Sequence, residues 1–271
     1  MQNKSAGVGH VPEYKNRLRL WVQVCFTAIT NGYAIGFAKG TIYTGHAKMI
    51  CVPGLNCYSC PGAFGACPIG ALQAVLGSNS YRISFYVIGT LMLFGMLLGR
   101  FVCGWLCPFG LVQDLIYRIP FVKKIKNLPG HRGLVWIKFL ILAGFVIMLP
   151  LTVVDFVGQG KPWFCEYICP SGTLMAGLPL VGSNSGLQST VGGLFFWKVA
   201  ILVVLMLLSI MVYRPFCKYL CPLGAIYGLM NPVALYSFKV EDDLCVNCVA
   251  CQNACKMDIN VCQNPNSMEC I

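Results

Sequence analysis

The sequence predicts an all-α membrane protein. Four transmembrane helices form a parallel internal duplication with short re-entrant helices, followed by a small C-terminal ferredoxin-like segment. Three observations lead there. The 271 residues are 57% hydrophobic and 11% charged, against roughly 25% charged in soluble globular chains. Four apolar runs approach the ~20 residues a helix needs to cross a bilayer: Leu18–Ala38, Ile83–Val102, Leu134–Val154 and Leu194–Tyr213. The stretch GRFVCGWLCPFG, beginning at Gly99, returns as YRPFCKYLCPLG, beginning at Tyr213.

Residues 1–17 read as a polar cytoplasmic arm without a cleavable signal peptide, and 18–238 as the membrane domain. The first run is the weakest, interrupted by Thr27, Thr30 and Asn31. Lys and Arg concentrate in cytoplasmic loops. Lys4, Lys15, Arg17 and Arg19 precede or open the first run, and Arg118, Lys123, Lys124, Lys126 and Arg132 fill the loop after the second. The other two loops are poorer, the last holding only Lys161 before Lys198. Both termini are therefore expected on the cytoplasmic side of the inner cell membrane. The net charge of +11 is mostly this topological signal and not a nucleic-acid surface.

The chain holds 17 cysteines, far too many for packing alone. Cys25 falls inside the first run as a core residue, and Cys51 has no assigned role. Others form a repeated unit. CPIGAL at Cys67 matches CPSGTL at Cys169, each followed by GSNS, then a span, then RxxCxxLCPxG. The two copies occupy about 57–120 and 165–232. Copies of equal orientation are related by a pseudo-twofold axis along the membrane normal. That axis brings Cys103 and Cys107 together with Cys217 and Cys221 at the cytoplasmic face, four thiolates as a [4Fe–4S] cluster requires. At the other face, Cys165 and Cys169 meet an irregular counterpart, NCYSCPGAFGACP. Ala63 stands four residues before Cys67, so Cys60 is expected to complete that outer set, with Cys57 as its substitute.

The motif chemistry is coherent. Cysteines at i and i+4 share a helix face. Proline after the second cysteine suits the first position of a new helix, which leaves the thiolate near a helix N-terminus. Gly70, Gly110, Gly172 and Gly224 allow close backbone approach. Ser and Asn of GSNS are expected to cap the spans that follow. Arg100 and Arg214 are expected to snorkel to the surface, with tuning of the inner cluster as the alternative.

The tail, 239–271, carries the most specific signal. Cys245, Cys248, Cys251 and Cys255 have the bacterial ferredoxin spacing C-x2-C-x2-C-x3-C. Lys256 stands where proline is usual, and the closing MECI resembles the start of a second quartet. Either a second cluster is truncated away, or Cys255, Cys262 or Cys270 completes the first. His10, His46 and His131 are the only histidines. None lies in mid-span, which argues against a membrane bis-histidine haem. No phosphate loop, Ser-His-Asp set or carboxylate pair suggests hydrolysis or phosphoryl transfer.

Arg100–Asp114, Arg214–Gly224 and the ferredoxin motif together resemble the polyferredoxin-type membrane proteins, NapH-like quinol dehydrogenase subunits and the membrane part of NosR-like proteins. The resemblance runs from about Cys57 to the end. It implies [4Fe–4S] electron transfer between cytoplasmic iron–sulfur or quinol donors and an extracytoplasmic acceptor. The implied partners are iron–sulfur, flavin or cytochrome proteins, with membrane lipid around the chain and quinone as a further candidate. Two other readings remain: a membrane thiol–disulfide oxidoreductase, and a maturation factor whose clusters sense redox state.

Overall fold

The computed structural model describes residues 13–78, 85–120, 124–155, 159–241, 245, 251–252 and 255–270. Among them every regular element is helical, and strand-type pairing is limited to isolated bridges such as Cys51 with Ala66. The main helices are α1 (Glu13–Thr30), α2 (Pro68–Leu76), α3 (Phe85–Leu98), α4 (Pro108–Tyr117), α5 (His131–Thr152), α6 (Pro170–Gly172 continuing to Leu178–Ser183), α7 (Gly193–Met211) and α8 (Pro222–Met230).

All four apolar runs contain helix, but their lengths differ. α5, with 22 residues, and α7, with 19, are long and apolar enough to cross a membrane by length and composition. α3 has 14 residues, and the lead-in 81–84 lies outside the described residues. α1 stops at Thr30, where Thr30 Oγ1 donates back to the Phe26 carbonyl at 2.8 Å and Asn31 Nδ2 donates to Thr30 Oγ1 at 3.1 Å. Such side-chain bonds compete with the helical ladder, and the first run resumes only as the short helix Ala34–Lys39.

Two helices contain a wide π-type turn, Leu142–Met148 in α5 and Thr173–Gly177 in α6. Each lies just ahead of a helical proline, Pro150 and Pro179. A helical proline lacks its N–H and clashes with the carbonyl four residues earlier. Widening the preceding turn accommodates both without breaking the helix.

The second cysteine of each motif does mark a helix start. Cys67, Cys107, Cys169 and Cys221 occupy N-cap positions with extended backbone, and the following prolines open α2, α4, α6 and α8. Sγ of Cys169 accepts from the Gly172 N–H, and Sγ of Cys221 from the Gly224 N–H, both at 3.4 Å. The GSNS stretch does not cap in its second copy. Asn184 Nδ2 instead donates to the carbonyls of Gly40 and Leu180, at 3.0 and 3.1 Å. This ties the end of Ala34–Lys39 to α6. In the first copy, Asn79 and Ser80 lie outside the described residues.

Apolar side chains cover the outward faces of the long helices, with Phe85, Leu140 and Phe196 all exposed. The motif cysteines lie inside, in one buried cluster with Leu55, Phe109, Phe164, Phe216 and Tyr227. Residues 255–270 pack onto the same body and do not stand apart from it. Arg100 Nη1 donates to the Met268 carbonyl at 2.6 Å, Asn231 Nδ2 to Ser267 at 3.0 Å, and Lys218 Nζ to Met257 at 3.3 Å.

A buried ion pair closes the α4 end of the body. Arg214 donates from Nε and Nη2 to both carboxylate oxygens of Asp114, and Arg19 reaches the same carboxylate from α1. Arg214 is fully buried and holds a left-handed backbone at φ 48, which is uncommon outside glycine. Burial pushes the Asp114 carboxyl up, but its bonds and charge contact with Arg214, aided by Arg19, hold it below the ordinary 3.8. The pair thus stabilises the fold above that value, and the contribution is lost as pH falls through the depressed one. Asp114→Ala should cost about 3–5 kcal/mol, because it strands a buried guanidinium. A thermal melt in detergent that left the midpoint unchanged would refute this.

Candidate iron–sulfur centres

The structure brings together the four cysteines of the duplicated RxxCxxLCPxG motif. Cys103 and Cys217 sit on the short helices Phe101–Trp105 and Pro215–Tyr219, while Cys107 and Cys221 cap α4 and α8. All four are buried, and the Cys221 thiol lies within electrostatic range of the other three. The two halves exchange contacts. Arg214 Nη1 donates to the Cys103 carbonyl at 2.5 Å, and Arg100 Nη2 donates to the Cys217 carbonyl at 3.2 Å. Each arginine precedes one cysteine by three residues and binds beneath the other. Both are buried, so neither snorkels to the surface as the sequence suggested. Five donors on a planar guanidinium are better satisfied by convergent carbonyls than by one water-facing edge.

Glycine leaves room where these arginines cross. A Cβ on Gly110 would lie 3.1 Å from the Cys103 carbonyl oxygen and 3.3 Å from Arg214 Nη1. On Gly224 it would lie 3.2 Å from the Cys217 oxygen and 3.4 Å from Arg100 Nη2. Burial pushes the Cys103 and Cys217 thiols up to about 11. The two arginines oppose that shift at both positions.

A second set surrounds a cavity of about 890 Å³. Its wall includes Cys57, Cys67, Cys165 and Cys169, together with Cys51, Lys48 and Lys198. The Cys165 thiol rests against the first turn of α2, 3.9 Å from where a Gly70 Cβ would stand. The Cys57 thiol rests against the first turn of α6, 3.6 Å from the corresponding point on Gly172. Cys60, expected in this set, is not part of the cavity wall. A tight turn separates it from Cys57, closed by the Cys60 N–H donating to the Cys57 carbonyl at 3.1 Å. Beyond the turn, its sulfur faces the backbone N–H groups of Gly62 and Ala63. The residue that reaches the cavity is Cys57, the substitute.

The two quartets are joined by a short buried segment. Cys51 to Asn56 are buried throughout. The Leu55 N–H is directed at the Cys107 thiol, and Cys57 lines the cavity. Two residues of chain span at most about 7 Å. Tyr227 OH donates to the Pro53 carbonyl at 2.9 Å, and its side chain lies within electrostatic range of Cys103, Cys107 and Cys221 on one side and Cys67 on the other.

In the tail, Cys245 and Cys262 approach to 3.8 Å between sulfurs. Cys255 and Cys270 instead pack with Tyr117, Tyr213, Met257 and Ile259. Cys251 is exposed, and Cys248 lies outside the described residues. The donor sets therefore consist of thiols alone, which suits iron–sulfur chemistry. Among the described residues no three His, Cys, Asp or Glu side chains converge tightly enough for a single metal ion.

Sequence reasoning passed over Gln73 and Gln113. Each stands six residues after a motif cysteine, in CPIGALQ and CPFGLVQ. Each is buried and bonded to a cysteine of the other copy. A polar residue at one register in two otherwise apolar helices was the available signal.

A 4Fe-4S binding domain family matches residues 81–129, 139–186 and 194–240, together more than half of the chain. The matches cover α3, the later part of α5 and all but the first residue of α7, each with the cysteine motif after it. An uncharacterized protein of Methanocaldococcus jannaschii is 28% identical over 77% of this chain and 80% of its own length. The methylamine utilization ferredoxin-type protein MauN of Methylorubrum extorquens is 28% identical over 70% of this chain and 55% of its own. The ferredoxin-type protein NapH of Haemophilus influenzae is 28% identical over 61% and 50%. The chain thus spans four fifths of the first relative and about half of the other two. No solved structure matches.

Replacing Cys57 with Ser should lower the iron and acid-labile sulfide bound per chain, whereas Cys60→Ser should leave both unchanged. Anaerobic iron and sulfide assays check this; the reverse pattern would restore Cys60 to the cavity.

Proposed function

This chain belongs to the 4Fe-4S binding domain family, and on that premise we propose that it is an integral membrane electron-transfer protein that passes electrons across the bilayer. The observation that carries the proposal is the Cys51–Cys57 segment, which touches both thiol quartets within two residues. Cys103, Cys107, Cys217 and Cys221 would hold one [4Fe–4S] cluster, and Cys57, Cys67, Cys165 and Cys169 a second. Cys245, Cys248 and Cys251, with Cys262 as the fourth thiol, would hold a third in the tail. Such clusters supply one-electron transfer when bound.

The membrane reading is supported by α5 and α7, which expose most of their apolar surface. A core helix of a soluble protein would bury it. In this reading α1 with Ala34–Lys39 and α3 complete four crossings. The helices α2, α4, α6 and α8 are re-entrant, tolerated because their first turns are buried in protein. The inward pull of these helices addresses the ~30 Å hydrocarbon thickness, since quartets reached from opposite faces then lie close together. The positive loops support cytoplasmic termini in the inner cell membrane. MauN and NapH are named ferredoxin-type proteins, which supports redox partners of the iron–sulfur, flavin or cytochrome class. Quinone remains a candidate donor in this scheme.

Because the Cys103 quartet draws on both copies, Cys103→Ser and Cys217→Ser should abolish the same spectroscopic signal. Loss of two different signals would show separate centres. Transfer across the bilayer is tested in sealed proteoliposomes without quinone, with an impermeant reductant on the tail side and an impermeant acceptor opposite. Acceptor reduction should occur in the unaltered chain and vanish in Cys169→Ser while the signal of the Cys103 quartet survives. Undiminished transfer in that variant, or transfer only on adding quinone, would overturn the proposal.

A further inference from the structure

The two thiol quartets share one feature beyond cysteines. Gln73 on α2 donates from Nε2 to the Cys165 sulfur at 3.3 Å and accepts at Oε1 from the Phe164 N–H at 3.0 Å. Gln113 on α4 donates from Nε2 to the Cys217 sulfur at 3.3 Å and accepts at Oε1 from the Phe216 N–H at 3.2 Å. Both amides also bond back into their own helix, to Ile69 at 3.3 Å and Phe109 at 3.5 Å. Both side chains are buried. The orientation of each amide is dictated by its partners. A backbone N–H only donates, so the amide oxygen must face it, and the NH2 group is left for sulfur.

We propose that Gln73 and Gln113 are positioning residues that set the reduction potentials of two separate centres, each through a single N–H···S bond to one ligand sulfur. This rests on the cluster reading above. Reduction adds an electron to the cluster and its thiolates. A donor aimed at sulfur stabilises that added charge and raises the potential. In a buried, low-dielectric site the bond counts for more than it would in water. The same side chain also fixes where sulfur sits, because its oxygen holds the N–H of the residue just before the cysteine. The halves are thereby clamped across the seam at both centres. The corresponding position after Cys169 is Met175, and after Cys221 it is Tyr227. Neither carries an amide, so each centre has one such clamp and not two.

The test is an EPR-monitored redox titration of the full chain in detergent, with couples assigned by their loss in Cys103→Ser and Cys169→Ser. Gln113→Glu keeps the oxygen for Phe216 but turns a second oxygen toward sulfur. It should move the couple of the Cys103 quartet to lower potential and leave the other in place. Gln73→Glu should do the converse. Gln→Met at either position should shift the same couple in the same direction by less. If a variant fails to assemble, the unaltered protein labelled with side-chain 15N-glutamine should still show nitrogen hyperfine coupling at both reduced centres. Couples that stay fixed, couples that move together, or absence of that coupling would overturn the inference. An unaltered chain that binds no iron or sulfide would instead overturn the cluster reading beneath it.

Discussion

Four buried cysteines from two distant stretches must meet at one seam, and the crossed arginines are what allow it. Arg100 and Arg214 each reach over the seam to the carbonyl under the opposite cysteine. This fixes the two short helices relative to one another before any cofactor is considered. It also favours glycine at positions 110 and 224, where a Cβ would press on guanidinium and carbonyl together. Proline at the next helix start and cysteine at its N-cap follow from the same geometry, since the chain must reverse immediately after the second thiol. Arg100 extends the arrangement to the tail through the Met268 carbonyl. Residues 255–270 are thus anchored on a residue that also supports the seam.

The crossing has an electrostatic side. Arg214 is neutralised in part by Asp114. Arg100 bonds only to carbonyls and backbone, and Lys138 on α5 is fully buried with no hydrogen-bond partner for Nζ. Arg100 and Lys138 thus add positive charge close to the Cys103 thiol. The cavity set has Lys48 and Lys198, each of which, like Arg100, binds a backbone carbonyl, of Ala63 and Cys165 respectively. The two thiol sets correspond in their sulfur donors and glutamine bonds, while the buried Arg214–Asp114 ion pair stands beside the Cys103 set.

Much of this was legible in the sequence because it is local. The repeated RxxCxxLCPxG, proline at the first helical position and the apolar runs are all short-range patterns, and a short-range pattern fixes a helix start or a helix face. Partner choice across the seam is not short-range. Whether Cys57 or Cys60 reaches the cavity depends on one tight turn and on where α6 lies. The burial of Arg100 and Arg214 depends on carbonyls more than a hundred residues away. Snorkelling is the sound expectation for an arginine at the end of an apolar run, and it fails here because better acceptors exist inside. The docking of residues 255–270 was invisible for the same reason: its bonds, to the carbonyls of Met257, Ser267 and Met268 and to the Asp258 and Glu269 carboxylates, all join residues far apart in the chain.

Non-helical backbone buried in an apolar interior must find hydrogen-bond partners or lose several kcal/mol for each stranded group. The Cys51–Asn56 stretch is such backbone, and its needs are met from the surrounding motifs. The Cys51 N–H takes Tyr86 OH, Val52 takes the Ala66 carbonyl, and the Pro53 carbonyl takes Tyr227 OH. The Leu55 N–H turns to the Cys107 sulfur. Asn56, fully buried, finds no protein partner for either side-chain atom and lines the cavity. The segment thus lacks the self-sufficiency of a helix and leans on both quartets at once. The stretch reaches one thiol set through the Leu55 N–H and the other through the Cys57 side chain, which gives a physical reason for its burial to be complete.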